Sequence, residues 1–371
     1  MHIESIKLIN YRNYDKLDIK LNKKLNIFIG DNAQGKTNLL ESIYICAFGK
    51  SYRAAKEKEL IKIDKDKAYI GINVRWDFAD KFIEIKFEKN KTKRVRINRV
   101  EIDKISDLFG HLNVVLFSPE DLKLVKEGPN NRRTFLDTEI SQIRPKYRYN
   151  INRYSKILKQ RNNLLKSIQR NNNKLKTIEV WDMQLAEVGS EIIKNRIEFI
   201  DRISEISKKI HKNITEGIEE LDLEYTPSFN IDCQLSKNEI KDIFIEVLNM
   251  NLAKDIEKGT TEFGPHRDDI KININGLDAK IFGSQGQQRT AALSMKLAEV
   301  ELVKSEIGEY PVLLLDDVLS ELDIKRRKFL LSTFSDIQTI ITSTEDIDVL
   351  DIHKKDKKVF YVSKGNIEII Q

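Results

Sequence analysis

Cysteine is nearly missing from these 371 residues: Cys46 and Cys233 stand far apart, with no C-x-x-C pair and no histidine nearby. That spacing excludes a disulfide framework and a zinc site of the usual pattern, and casts both thiols as small buried hydrophobes. Proline is scarce at 6 and glycine modest at 15, so long disordered linkers are excluded as well. No apolar run approaches membrane-spanning length, and residues 1–8 alternate like a strand instead of carrying a signal-peptide core. The expected compartment is the cytoplasm, with no membrane partner.

What is present suits a multi-domain globular protein. Hydrophobic residues at 40% support a buried core, and 371 residues favour two or three domains. The net charge of +6 is only mildly basic; its distribution says more. Between Ile143 and Ile178 there is no Asp or Glu, yet the stretch holds Arg144, Lys146, Arg148, Arg153, Lys156, Lys159, Arg161, Lys166, Arg170, Lys174 and Lys176. A solvated helix face normally mixes signs, because opposite pairs one turn apart stabilise it and like pairs do the reverse. Uncompensated repulsion of this kind suits contact with a phosphate backbone, giving affinity without sequence readout.

The strongest local signal is Gly30-Asp31-Asn32-Ala33-Gln34-Gly35-Lys36-Thr37, after the apolar run 25–29 and before an apolar helical stretch. The spacing G-x-x-x-x-G-K-T between a strand and a helix is a phosphate cradle, in which backbone N–H groups turn inward, Lys36 reaches the β- and γ-phosphates and Thr37 binds Mg²⁺. A second apolar strand, 311–315, ends in Asp316 and Asp317. In the company of the loop, Asp316 is placed to hold Mg²⁺ and Asp317 to orient or deprotonate a water. Ser284 and the helix start after it, 283–289, make a second anion site. Arg12 and Asn13, in the turn after the first strand, and residues 50–53 either reach nucleotide phosphates or lie on a solvated surface. His266 beside two acids fits no zinc pattern and reads as structural.

Strand patterns cover 3–8, 17–21, 25–29, 68–76, 82–88 and 95–97, then 113–117 and 338–341, with a hairpin of 270–274 and 277–282 turned by Asn275-Gly276. Helices follow at Pro129, over 236–258 with Ser236 and Glu239 as a capping box, and over 290–304. Between 144 and 212 the periodicity is helical: Ile151, Tyr154, Leu158, Leu165, Ile168 and Leu175, then Leu185, Val188, Ile192, Phe199, Ile203, Ile206 and Ile210. A break at Asn171-Asn172-Asn173 makes an antiparallel hairpin of two helices, each about 35–40 Å long. Arg161 interrupts the first seam. The expected division is 1–140, 141–260 and 261–371, an α/β ATPase lobe in two chain segments around a helical arm.

Taken together, GDNAQGKT, SQGQ, LLLDD and SELD resemble the ATP-binding-cassette ATPases of the SMC and Rad50 type. NYRNY, KTNLLESIY, FSPEDL, GPNNRRTFLD, EFGPHRDD and SQGQQRTAALSMKLAE, running essentially end to end, narrow the resemblance to the RecF family. The resemblance implies an ABC-type ATPase head: a P-loop lobe with mixed sheets, plus a helical arm with a short antiparallel coiled-coil hairpin. It implies ATP and Mg²⁺ as cofactors, with residues 30–37 on the phosphates and slow hydrolysis at Asp316 and Asp317. An ATP-dependent homodimer would follow, in which Ser284, Gly286 and Gln287 touch the partner's nucleotide and Asp323 helps join the sites. The implied partners are double-stranded, gapped, junction or single-stranded DNA, with Arg148, Arg153, Lys156, Lys159 and Lys166 as contacts. RecR would bind directly, RecO and RecA indirectly, in gap repair and the SOS response at the nucleoid. Three departures stand out: Asp317 where the wider group has Glu, Gln285 where it has a second signature glycine, and no switch histidine after 338–341. In addition, Ser118-Pro119-Glu120 lies where relatives carry a coupling glutamine. The alternatives are a Rad50-like subunit of a nuclease or chromosome-organising complex, a transport ATPase domain, and a DNA-binding protein that binds ATP without turnover. Against the first stand the short arm and the missing C-x-x-C apex.

Overall fold

The computed structural model describes residues 1–77, 79–169, 177–333, 336–344 and 356–370. In chain order its elements are β1 (His2–Tyr11), β2 (Tyr14–Lys20), β3 (Leu25–Ile29), α1 (Lys36–Phe48), β4 (Lys67–Arg75), β5 (Lys81–Glu88), β6 (Arg94–Ile97), β7 (Val100–Glu101) and β8 (Val114–Phe117). Then come α2 (Lys123–Lys126), α3 (Pro129–Ile143), α4 (Pro145–Ile168), α5 (Ile178–Ile214), β9 (Leu221–Thr226), α6 (Lys237–Met250), α7 (Leu252–Lys258), β10 (Asp269–Ile274), β11 (Leu277–Asp278) and α8 (Ala279–Phe282). The chain ends with α9 (Gln285–Ile307), β12 (Val312–Asp316), α10 (Ile324–Thr333), β13 (Thr339–Ser343), β14 (Lys357–Ser363) and β15 (Asn366–Ile369). None of the described helices is long and apolar enough to cross a membrane.

Two compact units divide the chain: Met1–Asp121 with Lys296–Gln371, and Leu122–Met295. This differs from the three segments 1–140, 141–260 and 261–371. The reason lies in the pairing, since β10 joins β9 in an antiparallel ladder and so draws residues 261–295 into the helical unit.

The first unit holds two six-stranded sheets. One is antiparallel, in the order β2-β1-β4-β5-β6-β7; its alternating strands turn Ile6, Leu8, Ile70, Ile72, Ile83 and Ile85 inward. The other runs β15-β14-β3-β13-β12-β8, parallel except for β15. Its central strands are buried along nearly their whole length, and so read as continuous apolar runs. Helix α1 packs against strands of both sheets, and ten of its thirteen residues are buried. Cys46 lies in this core, as expected, while Cys233 in the other unit is only half-buried. Gln338 links the sheets: its side chain accepts from Ile3 N–H at 2.6 Å and donates to the carbonyls of Ile3 and Asn22 at 2.8 Å.

The second unit surrounds a three-stranded antiparallel sheet, β11-β10-β9, with helices. The contacts Arg144 to Glu198, Lys146 to Glu191 and Arg161 to Asp182 run in opposite senses along α4 and α5, so the two helices are antiparallel. At about 1.5 Å per residue, the 24 residues of α4 match the expected length. By contrast the 37 residues of α5 make it about 55 Å long. Apolar periodicity persists to Ile214, and the later part of α5 packs on β9. The expected turn at Asn171-Asn172-Asn173 lies outside the described residues. Three further expectations shift. The helix of 236–258 breaks at Asn251 into α6 and α7, with the Ser236–Glu239 capping box in place. The second hairpin strand stops at Asp278, whose carboxylate caps the short α8 by accepting from Lys280 and Ile281 N–H. Helix α9 begins earlier than Thr290, at Gln285.

The seam of α4 buries Tyr147, Asn150, Tyr154, Ile157, Arg161, Leu165 and Ile168. Arg161 thus belongs to the seam and not to the outer face, and Ile157 takes the buried place expected for Leu158. Arg161 Nε donates to Asp182 at 2.5 Å, and Arg161 Nη1 donates to Asp255 at 2.6 Å and Thr261 at 2.7 Å. Arg196 on α5 plays a similar part, reaching Tyr147, Asp137 and the Pro265 carbonyl. Removing one member of such a buried set leaves the others charged and unpaired. Arg161→Met should therefore cost about 3–5 kcal/mol in a urea unfolding titration, and Arg161→Met with Asp182→Asn and Asp255→Asn should recover part of that loss. Equal stability of wild type and the single variant would show that Asp182 and Asp255 are not left as uncompensated buried charges.

Candidate functional site

The end of β3 builds the first half of the site. Gly30 has φ 152°, and a Cβ there would lie 2.3 Å from the Val362 carbonyl oxygen; Gly35 has φ 120°, with a Cβ 2.6 Å from Asn13 Nδ2. Only glycine fits either place. Asp31, Asn32 and Ala33 crown the loop in solvent, while Gly30, Gly35 and Lys36 are buried. Lys36 Nζ donates back to the carbonyls of Gly30 at 2.6 Å and Asp31 at 2.8 Å. Burial pulls its pKa below the usual lysine value, against the attraction of Asp317, Asp31 and Asp316. No side chain caps the first turn of α1, so its leading N–H groups are offered to an anion.

Parallel pairing supplies the second half. Strand β13 lies between β3 and β12, in register with both, so the carboxyl ends of all three strands lie side by side. Asp316, at the end of β12, receives three hydroxyls. Thr37 Oγ1 donates to its Oδ1 at 2.9 Å, Thr342 Oγ1 lies 3.0 Å from the same oxygen, and Tyr52 OH donates to Oδ2 at 2.9 Å. Burial, then the Asp316 charge, pushes the Tyr52 phenol far above its usual pKa and keeps it a donor. The next residue, Asp317, takes a left-handed φ of 55° and donates its N–H to Thr342 Oγ1 at 3.0 Å. An oxygen pair from Thr37 and Asp316 at a phosphate loop has the donor chemistry of a hard divalent cation site. No group of three or more His, Cys, Asp or Glu suited to a metal occurs among the described residues.

A buried acid organises the wall beside the loop. Glu41 on α1 is fully buried and accepts from Arg12 Nε at 2.8 Å, Arg12 Nη2 at 2.7 Å, Tyr11 OH at 2.9 Å and Ser51 Oγ at 2.5 Å. Burial opposes its ionisation, but the hydrogen bonds from Arg12 and Ser51 win and hold its pKa below the usual value. Arg12 Nη1 donates to the Glu59 carbonyl, so its side chain faces this wall while Asn13 faces the loop. Asn13 Nδ2 donates to the Gln34 carbonyl at 2.7 Å, and Tyr14 OH donates to the Gly35 carbonyl at 3.0 Å. The turn between β14 and β15 also reaches the loop. Lys364 N–H donates to Gln34 Oε1 at 2.7 Å, and Gly365 N–H to the Gln34 carbonyl at 3.1 Å. Glu41, Thr342 and this hairpin were not marked as site elements by the sequence patterns, and Tyr52, within the stretch 50–53 read as either phosphate contact or solvated surface, instead reaches Asp316. An acid inside the otherwise apolar run of α1, with an arginine in the preceding turn, was the available signal.

The signature segment belongs to the second unit. Ser284 caps α9 in a reciprocal box: its N–H donates to Gln287 Oε1 at 2.8 Å and its Oγ accepts from Gln287 N–H at 3.2 Å. Ser284, Gln285 and Gly286 are exposed, and a Cβ on Gly286 would meet nothing of its own chain closer than 3.9 Å. Asp323, in the first unit, caps α10 by accepting from Arg326 N–H at 2.9 Å. In the motif EFGPHRDD, His266 Nε2 donates to the Thr261 carbonyl and Nδ1 accepts from Tyr154 OH. Burial lowers its pKa to about 4, which suits the structural role expected of it. Asp269 accepts both Arg132 Nε at 2.6 Å and Nη2 at 2.8 Å, tying GPNNRRTFLD to β10.

The basic helix is sorted by its neighbours. Arg144 and Lys146 pair with Glu198 and Glu191 of α5, so their charge is compensated from the other helix, and Arg148 is half-buried. Arg170, Lys174 and Lys176 lie outside the described residues. Arg153, Lys156, Lys159 and Lys166 are exposed on α4, with no ion pair among the described residues.

Comparison with known proteins agrees with this geometry. Residues 2–368 match the RecF/RecN/SMC N terminal domain family. The DNA replication and repair protein RecF of Alkaliphilus oremlandii (strain OhILAs) is 50% identical over 368 residues, 99% of this chain and 100% of that protein. A solved structure of the recombination mediator protein RecF with ATP, in the RecFOR pathway, superposes with a TM-score of 0.93 at 37% identity, covering 100% of this chain and 98% of the other. The Smc head domain with an extended coiled coil from Pyrococcus furiosus shares the fold alone, with a TM-score of 0.56 at 16% identity over 100% of this chain and 96% of that one. With a phosphate loop and acidic strand joined in an SMC-type ATPase head, and half its residues shared end to end with a curated relative, the chain belongs to the RecF family.

Proposed function

We propose that this chain is an ATP-driven, DNA-binding recombination mediator that works as a switch in gap repair. The observation that carries the reading is the Thr37–Asp316 hydrogen bond, which brings the phosphate loop and the acidic strand to one point. Residues 30–37 and the start of α1 bind the triphosphate, Lys36 neutralises its outer charge, and Thr37 with Asp316 holds Mg²⁺. Bound there, the cation supplies charge neutralisation at the phosphoryl group. Asp317 orients the attacking water from a side chain one methylene shorter than Glu, which suits slow turnover. Asn13 steadies the loop, and Arg12 acts through Glu41 and the loop wall.

A second copy completes the site. Ser284, Gly286 and Gln287 present an exposed helix start with open space over Gly286, which suits close approach to a phosphate held by a partner. Asp323 helps join the two sites. Dimerisation upon ATP binding then shapes a basic surface for double-stranded, gapped or junction DNA, with Arg153, Lys156, Lys159 and Lys166 the best exposed contacts and Arg148 behind them. Relatives named for replication and repair, one of them described in the RecFOR pathway, support partners in that pathway generally; in this reading RecR is the direct partner and RecO and RecA are indirect ones, in the cytoplasm at the nucleoid. ATP favours the dimer only as far as the dimer binds it more tightly than the monomer does.

The deciding experiment measures duplex DNA binding without nucleotide, with ADP and with ATP at one salt concentration, following oligomeric state by sedimentation. ATP alone should produce both the dimer and tight binding; DNA affinity indifferent to nucleotide would refute the switch. Lys36→Arg should weaken ATP binding by about 1.5–3 kcal/mol, the range for hydrogen bonds to charged groups, read by calorimetry. Ser284→Arg should leave monomer ATP affinity intact and abolish the ATP-dependent dimer. Finally, Lys156→Glu, Lys159→Glu and Lys166→Glu together should flatten the salt dependence of DNA binding by about 0.9 in log–log slope per lost phosphate contact. An unchanged slope would place DNA away from α4.

A further inference from the structure

Helix α1 closes at Gly49, φ 69°, and the chain doubles back through residues 50–54. Three successive side chains there reach three parts of the nucleotide site. Ser51 Oγ accepts from Arg53 and Ala54 N–H at 2.8 and 2.7 Å and donates to Glu41. Tyr52 OH donates to Asp316 Oδ2, and Arg53 Nη1 donates to Asn38 Oδ1 at 3.2 Å. The Tyr52 ring stands edge-on to Tyr44, with centroids 5.0 Å apart and planes at 70°. Ring packing and the Ser51 turn therefore fix where the phenol oxygen sits.

Asp316 needs such a hold. Its carboxylate torsion is broad and two-fold, and its position at the end of β12 does not set which way the oxygens face. Oδ1 is shared by Thr37 and Thr342, whereas Tyr52 is the one donor to Oδ2 among the described residues. The residue is buried, with 6% of its surface exposed, so an unpartnered oxygen there would draw the group round to find a donor. We propose that Tyr52 is a positioning residue for the cation half of the site, its hydroxyl pinning Oδ2 of Asp316 so that Oδ1 stays turned toward Thr37. This rests on the reading of Thr37 and Asp316 as the Mg²⁺ pair.

The test is a titration of a fluorescent ATP analogue into the full chain, across Mg²⁺ concentrations and in EDTA, for wild type, Tyr52→Phe, Thr37→Ala and Tyr69→Phe. The last removes the same atom from a tyrosine that bonds Glu84 at 3.0 Å in the antiparallel sheet, and serves as control. Tyr52→Phe should raise the Mg²⁺ midpoint about 10-fold, the lower end of what losing an outer partner of a metal ligand costs. Its affinity in EDTA and its thermal midpoint should match wild type, and Tyr69→Phe should match throughout. An unchanged Mg²⁺ midpoint, or equal loss with and without Mg²⁺, would overturn the proposal and leave Tyr52 a packing residue. A Mg²⁺ response surviving in Thr37→Ala would instead sink the Mg²⁺-pair reading itself.

Discussion

The site depends on one hydrogen bond between residues 279 positions apart, Thr37 to Asp316. It exists because a single strand, β13, separates β3 from β12 in a parallel ladder, so the loop after one and the acid ending the other emerge at the same edge. Ligand sites in parallel sheets gather at the carboxyl ends of the strands for this reason. Helix α1 then runs back between the two sheets and buries Leu39, Leu40, Ile43 and Phe48 on different sides. Such a helix cannot shift without disturbing the core that both sheets share. The loop is therefore carried by a rigid support on one side and by the β14–β15 turn on the other.

Polar groups inside the fold are used as pins. Glu41 collects Arg12, Tyr11 and Ser51, and so joins the first hairpin turn, α1 and the segment after α1. In the helical unit, Arg161 and Arg196 each gather acceptors from several elements. Buried ion pairs of this sort contribute little net stability but punish any mispacking, because a lost partner leaves a charge in low dielectric. They also change the meaning of the charge pattern. Of the basic residues in the acid-free stretch, Arg161 is consumed by the core, and Arg144 and Lys146 are answered by α5. Among the described residues, what stays exposed and unanswered is a shorter stripe at Arg153, Lys156, Lys159 and Lys166.

Local patterns carried much of the architecture. Glycines at 30 and 35, the apolar runs before them and before Asp316, and the capping pair Ser236 and Glu239 act through neighbours in the chain, and each appears where its chemistry requires. Alternation marked the antiparallel strands for the same reason, since a half-buried strand writes its two faces into successive residues. Errors came where a residue serves a second element or answers to something remote. Asp278 ends β11 and at once caps α8, so the strand stops there. Arg161 looked like part of a basic face but meets Asp182 and Asp255, which are distant in sequence.

By itself, then, the sequence determined the chemistry on offer: a phosphate loop, an acidic strand end, a helix start bearing Ser284, and a helix rich in positive charge. These are written in short spacings that local sterics and hydrogen bonding enforce. Only the tertiary structure decided which groups meet. Tyr52, Thr342 and Thr37 converge on Asp316 from three separate segments, and no spacing records that convergence, because strand order and helix packing bring them together.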